Sequence, residues 1–349
     1  MKKVLYAIQS TGNGHINRAL SIIPELLKKT ELDILISGDQ GEIELPFEIK
    51  YQVKGLTYYF GLKGGIDYVK TIRKMNPIRF IKDVYSLPVS DYDFIISDFE
   101  PTSAWAGKLR KIPVVGLSNQ AVILDSKIPK PKTKDFLALG VLKHYAPAKY
   151  KFGYNYIKFS DNIFTPMIRE EIRNAWISDE GHYTVYLPAY SDEKIISFLK
   201  NFKHTRWHLF SKNASFNYKS GNVEIFKIDK DKFTKSICSC AGVLCNSGFE
   251  TTSEALYLGK KMMVIPQKKQ YEQLCNEFIL KMLGVYSIKD LHPKNIKAVN
   301  YWLKSGKFVQ LSFPDSAQNV VNRILNIDWE EAMEKQSSRA KRRLVLETE

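Results

Sequence analysis

Residues 241–276 limit the possible fold more than any other stretch. An apolar strand, Ala241–Leu244, runs into Asn246-Ser247-Gly248, and a helix carrying Glu250, Thr251 and Glu254 starts there. A second strand, Met262–Ile265, ends at Pro266. A polar loop, Gln267–Gln270, leads into a helix with Glu272, Gln273 and Asn276. Strand, loop and helix repeated in this order build a parallel sheet covered by helices. A small-residue loop opening a helix leaves backbone N–H groups free at the positive helix end, which suits a phosphate. Glu254, in the second turn, can accept from two neighbouring hydroxyls, as on a ribose. Glu272 and Gln273 follow a strand's carboxyl end, where open α/β sheets bind ligands, and acid plus amide suits sugar hydroxyls. The competing reading of Glu250 and Glu254 is one solvated helix face.

The N-terminus repeats the unit. Lys3–Ile8 is an apolar strand, Gln9–His15 a turn with Gly12, Asn13 and Gly14, and Ile16, Ala19, Leu20, Ile23 and Leu26 recur at helical spacing to about Lys29. Leu32–Ser37 is the next strand, which completes a βαβ unit. Asn17 stands where a dinucleotide fingerprint needs its third glycine, which argues against a dehydrogenase. His15 falls in the first helical turn. A helix N-terminus disfavours imidazolium, so a neutral histidine able to take a proton fits there. Strand Asp93–Ser97 ends at Asp98, on the same edge. Asp98 either faces His15, where it would hold the imidazole tautomer, or caps the following helix.

Between these units, weaker strands are expected around Pro46–Val53 and Thr57–Phe60, then a loop at 61–65 and a basic, amphipathic helix over Ile66–Tyr85, kinked at Pro77. A second basic and apolar segment covers 121–151. Both suit an anionic or membrane-held acceptor. The junction is placed near Phe152–Phe164, giving domains 1–155 and 156–330 and a basic, disordered tail at 331–349. The second half restarts at Tyr183–Leu187, and the turn ending in Ser191 is a further phosphate edge. Helices are expected at Asp192–Asn201, Lys230–Ile237, His292–Lys304 and Asp315–Ile327.

The chain has 349 residues, a hydrophobic content of 44% and a formal net charge of +15. Such charge draws anionic partners without choosing among them. Cys238, Cys240, Cys245 and Cys275 form no zinc pattern and read as buried core residues. No apolar run approaches the ~18 residues of a membrane span, and the run after Met1-Lys2-Lys3 is too short for a signal peptide. The expected location is cytoplasmic, with peripheral placement at the inner membrane face.

The pattern N-S-G-x-x-T-x-S-E, followed by P and x-E-Q-x-x-N, resembles the nucleotide-binding half of GT-B glycosyltransferases, most of all the MurG-type and UDP-glycosyltransferase groups. Gly12-Asn13-Gly14-His15 resembles the first loop of the same family. The resemblance implies two Rossmann-like parallel-sheet domains facing across a cleft, with the last helix returning to the first domain. It implies that His15 is the base that deprotonates the acceptor, that Asp98 orients it, and that Glu254 holds the ribose. Ser191, Asn246, Ser247, Gly248, Thr251 and Gln270 then belong to the donor site, with Glu272 and Gln273 on the sugar. The family more often has Asp at the position of Glu272, and the plant opening H-C-G-W-N-S is absent.

Asp-x-Asp occurs at Asp91-Tyr92-Asp93 and Asp229-Lys230-Asp231, neither read as a site for a metal-bound diphosphate. No E-x7-E pair lies near the donor loop, so the expectation is an inverting, metal-independent hexosyltransferase without a cofactor. Its donor would be a UDP-sugar and its acceptor a sugar, lipid or other hydroxyl. A nucleotide-sugar 2-epimerase shares the architecture, but the G-T-R-P-E sequence usual near its N-terminus is missing. A nucleic-acid module would use the charge, yet no recognition helix, zinc finger or RNA-binding aromatic motif is present, and no nucleic-acid partner is expected.

Overall fold

The computed structural model describes residues 1–10, 13–38, 45–56, 76–133, 135–268 and 270–328. Gly12, the 57–60 strand, the 61–65 loop and the 331–349 tail lie outside the described residues.

Six consecutive buried residues in strand β1 (Lys2–Gln9) require a strand covered on both faces, the position a parallel sheet provides. β1 pairs in parallel with β2 (Thr30–Ser37) on one side and β4 (Phe94–Asp98) on the other. Adding β3 (Tyr51–Val53), β5 (Val114–Leu117), β6 (Tyr150–Tyr154) and β7 (Ile163–Phe164) gives a seven-stranded sheet of order β3-β2-β1-β4-β5-β6-β7. The second sheet contains β8 (His182–Tyr186), β9 (Arg206–Ser211), β10 (Tyr218–Ser220), β11 (Val223–Lys227), β12 (Gly242–Asn246), β13 (Lys261–Ile265) and β14 (Tyr286–Ser287), in the order β10-β11-β9-β8-β12-β13-β14. Its pairs are parallel except the β10–β11 hairpin. That hairpin turns at Gly221, whose φ of 67° favours glycine.

The expected α/β class, with two Rossmann-like parallel sheets, is what the chain adopts. Strand order reverses between β1 and β4 in one sheet and between β8 and β12 in the other. These reversals open crevices at the strands' carboxyl ends.

Helix Asn13–Leu27 buries Ile16, Ala19, Ile22, Ile23 and Leu26 against the first sheet. The last described helix, Ala317–Leu325, packs Val320, Val321 and Ile324 into the same core, and Lys29 Nζ donates to Asn322 Oδ1. The chain therefore does return to its first half. The four cysteines are buried and unbonded to one another.

Three local expectations change. Pro77 is not a kink: it opens helix Pro77–Ser86, with Asn76 as a non-helical cap accepting from Arg79 N–H. Proline's missing donor costs nothing at that position. The first sheet extends past residue 155, because Ile163–Phe164 pairs with β6. The short strands β10 and β14 were not anticipated, since two or three residues carry no readable period.

The start of helix Asn119–Val122 lies directly on β6, so a Cβ at Gly153 would overlap the Ser118 carbonyl oxygen. Gly153→Ala is expected to lower unfolding stability by about 1–3 kcal/mol, read as a lower midpoint in urea denaturation.

Candidate active site

His15 stands in the first turn of the helix after β1, and Asp98 is the last residue of β4, so both lie at the first crevice. His15 Nδ1 is 2.7 Å from Asp98 Oδ1. Asp98 is not the cap of the next helix: Glu100 accepts from Thr102 and Ser103 N–H there. Arg18, three residues past His15 and on the same helix face, holds both Asp98 oxygens, Nε to Oδ2 at 2.9 Å and Nη2 to Oδ1 at 2.7 Å. Burial alone would raise the Asp98 carboxyl. Arg18, and after it His15, hold it below the usual carboxylate range. An ionised Asp98 can only accept, so the shared proton sits on His15 Nδ1, and Nε2 makes no hydrogen bond to the described residues.

The second crevice faces this one. Helix Phe249–Tyr257 starts beyond β12 with Gly248 as its cap, and a Cβ on Gly248 would meet open space. A Cβ on Gly14 would instead strike the Glu250 side chain, so the two helix openings abut. Glu250 Oε1 accepts from Arg18 Nη1 at 3.3 Å. Burial raises the Glu250 carboxyl, against the pull of Arg18. With 34% of its side chain still exposed, this rise is smaller than in a sealed site.

A cavity of about 660 Å³ opens from this junction, the size of a small-molecule site. Gly14, Asn17, Glu250, Thr251 and Glu254 line one wall, and Arg169, Lys212, Lys227 and Lys230 supply positive charge. Tyr186, Ile228 and Phe233 add an apolar surface, with the two rings edge to face at 5.6 Å. Glu254 does not form a solvated face. It is 7% exposed and gripped by Arg169, Nε to Oε1 at 2.6 Å and Nη2 to Oε2 at 3.1 Å.

Of the expected donor residues, Glu254 and Thr251 line this cavity, with Gly248 at the head of their helix. Asn13 opens the facing helix. Ser191 is a correction: it is exposed at the start of helix Asp192–Leu199 and does not line the cavity. Asn246, Ser247 and Gln273 bond among their own turns, at the ends of β12 and β13. Asn246 Nδ2 donates to the Ile265 carbonyl at 2.7 Å, and Ser247 Oγ to the Gln273 carbonyl at 2.9 Å. Asn276 Nδ2 donates to the Ser247 carbonyl at 3.0 Å, and Gln267 N–H to Gln273 Oε1 at 3.0 Å. Sharp turns at strand ends must satisfy their own polar groups, and these side chains do so.

Glu272 crosses to the first half, accepting from Asn119 Nδ2 at 2.8 Å and Gln120 Nε2 at 3.1 Å. Gln270 starts helix Tyr271–Met282 and makes no capping bond, and its buried Oε1 has no partner among the described residues. Sequence reasoning missed Arg18, Arg169, Asn119, Gln120 and the lysines of the cavity. Only Arg18 carried a local signal, its spacing from His15.

A family profile described as glycosyl transferase family 1 matches residues 2–305. Among solved structures, MurG of Acinetobacter baumannii aligns over 93% of this chain and 100% of its own, at 14% identity and a TM-score of 0.55. Arabidopsis thaliana UGT89C1 complexed with UDP-L-rhamnose aligns over 87% and 89%, at 13% identity and 0.54. Phytolacca americana UGT2 complexed with UDP-2fluoro-glucose and pterostilbene aligns over 98% and 99%, at 10% identity and 0.54. At these identities the likeness is one of fold. No curated protein matches the chain.

Because Asp98 is held low when folded, its contribution is present above the unfolded carboxyl range, about 4, and is lost as pH falls through the lower folded value. Asp98→Asn is therefore expected to cost about 3–5 kcal/mol at neutral pH. The gap to wild type should close below about pH 4 in denaturation series.

Proposed function

The chain belongs to glycosyl transferase family 1, and on that premise we propose that this glycosyltransferase is inverting and metal-independent, moving a hexose from a UDP-sugar to an acceptor hydroxyl. One observation carries the reading: the His15–Asp98 pair, at 2.7 Å, abuts the helix opening that lines the donor cavity. A base and an anion-binding helix end then face one reacting centre.

In this mechanism the acceptor oxygen attacks the anomeric carbon while His15 Nε2 takes its proton. The bond from that carbon to the diphosphate oxygen breaks, and the nucleoside diphosphate leaves with the electron pair. Free N–H groups at the head of helix Phe249–Tyr257, with Arg169, Lys212, Lys227 and Lys230, would stabilise the departing charge. Glu254 would take the ribose hydroxyls on lone pairs that Arg169 leaves unused, since an ionised carboxylate offers about four. The amide oxygens of Asn246, Gln267 and Gln270, buried and without partners among the described residues, suit sugar hydroxyls. Glu272, held by Asn119 and Gln120, would place the sugar where the halves meet. The UDP-sugars bound to the Arabidopsis and Phytolacca enzymes favour uridine as the base.

The acceptor half presents helix Pro77–Ser86, whose Ile78, Ile81 and Tyr85 are 79%, 54% and 66% exposed beside Arg79 and Lys82. Apolar and basic side chains on one exposed helix favour a lipid-linked acceptor at an anionic membrane face. No helix among the described residues is long and apolar enough to cross a membrane.

Calorimetric titration with UDP, GDP, dTDP and CMP should show preference for UDP, lost in Glu254→Ala. Once a donor and acceptor pair is found, His15→Ala should lower kcat about 10²- to 10⁴-fold with UDP affinity unchanged, and NMR of the product should show an inverted anomer. Retention, or full activity of His15→Ala, would exclude the mechanism. Vesicles containing phosphatidylglycerol should sediment the protein, and Ile81→Glu should weaken this. Equal binding to neutral phosphatidylcholine vesicles would count against the membrane face.

A further inference from the structure

Arg18 has no role in the mechanism above, yet its placement is the most constrained in the crevice. Its side chain is 4% exposed, in contact with an Asp98 side chain that is fully buried. Arginine offers five N–H donors in a rigid fork and no acceptor. Two prongs hold the two Asp98 oxygens at 2.9 and 2.7 Å. A third reaches Glu250 of the opposing half at 3.3 Å, and the guanidinium lies 5.1 Å from the Tyr154 ring centroid. Arg18 Nη2 also comes within 2.9 Å of His15 Nδ1, the atom that Asp98 Oδ1 approaches at 2.7 Å.

This crowding links the state of Asp98 to the tautomer of His15. Arginine can only donate and an ionised carboxylate can only accept. Arg18 Nη2 at 2.9 Å would by itself favour a lone pair on Nδ1. The ionised carboxylate is nearer, at 2.7 Å, and can be met only by a proton. While Asp98 is ionised the proton therefore sits on Nδ1, and Nε2 keeps the lone pair that a base needs. If Asp98 were protonated, its O–H would donate to Nδ1. The ring proton would then sit on Nε2, and the base would be lost. Tyr6 and Tyr154, the other titratable groups around Asp98, are pushed up by burial and stay neutral. Glu250 is anionic or neutral and cannot compensate Asp98. Arg18 is the buried cation that holds Asp98 as a carboxylate, since burial by itself works against the charge.

We propose that Arg18 is a positioning residue: its fork, anchored on the far side by Glu250, holds Asp98 by both oxygens and so fixes His15 in the Nδ1–H tautomer. This rests on the reading of His15 as the base, but its test does not need turnover. An ammonium keeps the positive charge but cannot hold both carboxylate oxygens, so Arg18→Lys is the deciding variant. Arg18→Met leaves Asp98 without a cation and can fail to fold.

The measurement is long-range ¹H–¹⁵N NMR of the full chain without substrate at pH 8, with the His15 ring nitrogens assigned by comparison with His15→Gln. Wild type is expected to show a protonated Nδ1 and an unprotonated Nε2. Arg18→Lys should show both tautomers, and Arg18→Met, where folded, mostly the Nε2–H form. In turnover, kcat of Arg18→Lys should fall about 10- to 100-fold, part of the ~10⁴-fold cost of a wrong histidine tautomer in the Ser-His-Asp triad, with donor KM within about twofold. A wild-type tautomer in Arg18→Lys would overturn the proposal. Failure to find any transfer reaction would sink the reading of His15 as a transferase base and leave the tautomer result standing.

Discussion

A carboxylate sealed at the end of a β-strand cannot stay ionised unless a cation is sealed in with it. Asp98 and Arg18 meet that condition at the first crevice, where the strand order reverses. Much else follows from this pair. It reaches His15 Nδ1, brings Arg18 within reach of Glu250 and thereby ties the first sheet's crevice to the second. Removing one partner leaves the other buried and unpaired, which is far more costly than losing an exposed bridge. The pair thus holds the fold and the proposed base through the same bonds.

Around it, the molecule sets two helix openings against each other, both with their positive ends at the cleft. Such an arrangement repels itself unless an anion lies between. Glu250 fills part of that place, and the cavity beyond adds four basic side chains against Glu254 and Asp229. This distribution of charge, with Tyr186, Ile228 and Phe233 as its apolar side, is the basis of the donor site proposed above. The polar bonds from Asn119 and Gln120 to Glu272 close the other end. Side chains of both halves therefore hold the cleft together.

Much of the fold was legible from the chain. Uncharged apolar runs such as Val4–Ile8 and Val243–Cys245 mark strands buried on both faces, and the small-residue loops after them mark helix openings. His15, Asp98 and Glu254 could be named because each sits within a few residues of a strand end or helix start. Ser191 lies outside the cavity, which its sequence could not show because turns after strands look alike wherever they stand. That Asn246, Ser247 and Gln273 also serve the loop's own carbonyls and N–H groups is not legible, because nothing local shows those needs.

Sequence alone determined the class of fold, the strand ends that face the crevices and the helix turn that carries His15. These depend on periodicity and capping, which act between residues a few positions apart. Tertiary structure decided the partners. Arg169 grips Glu254 from 85 residues away, Asn119 meets Glu272 across 153, and Arg18 reaches Glu250 across 232. No local pattern encodes such pairs, because they exist only once two sheets have folded and their crevices have been brought face to face.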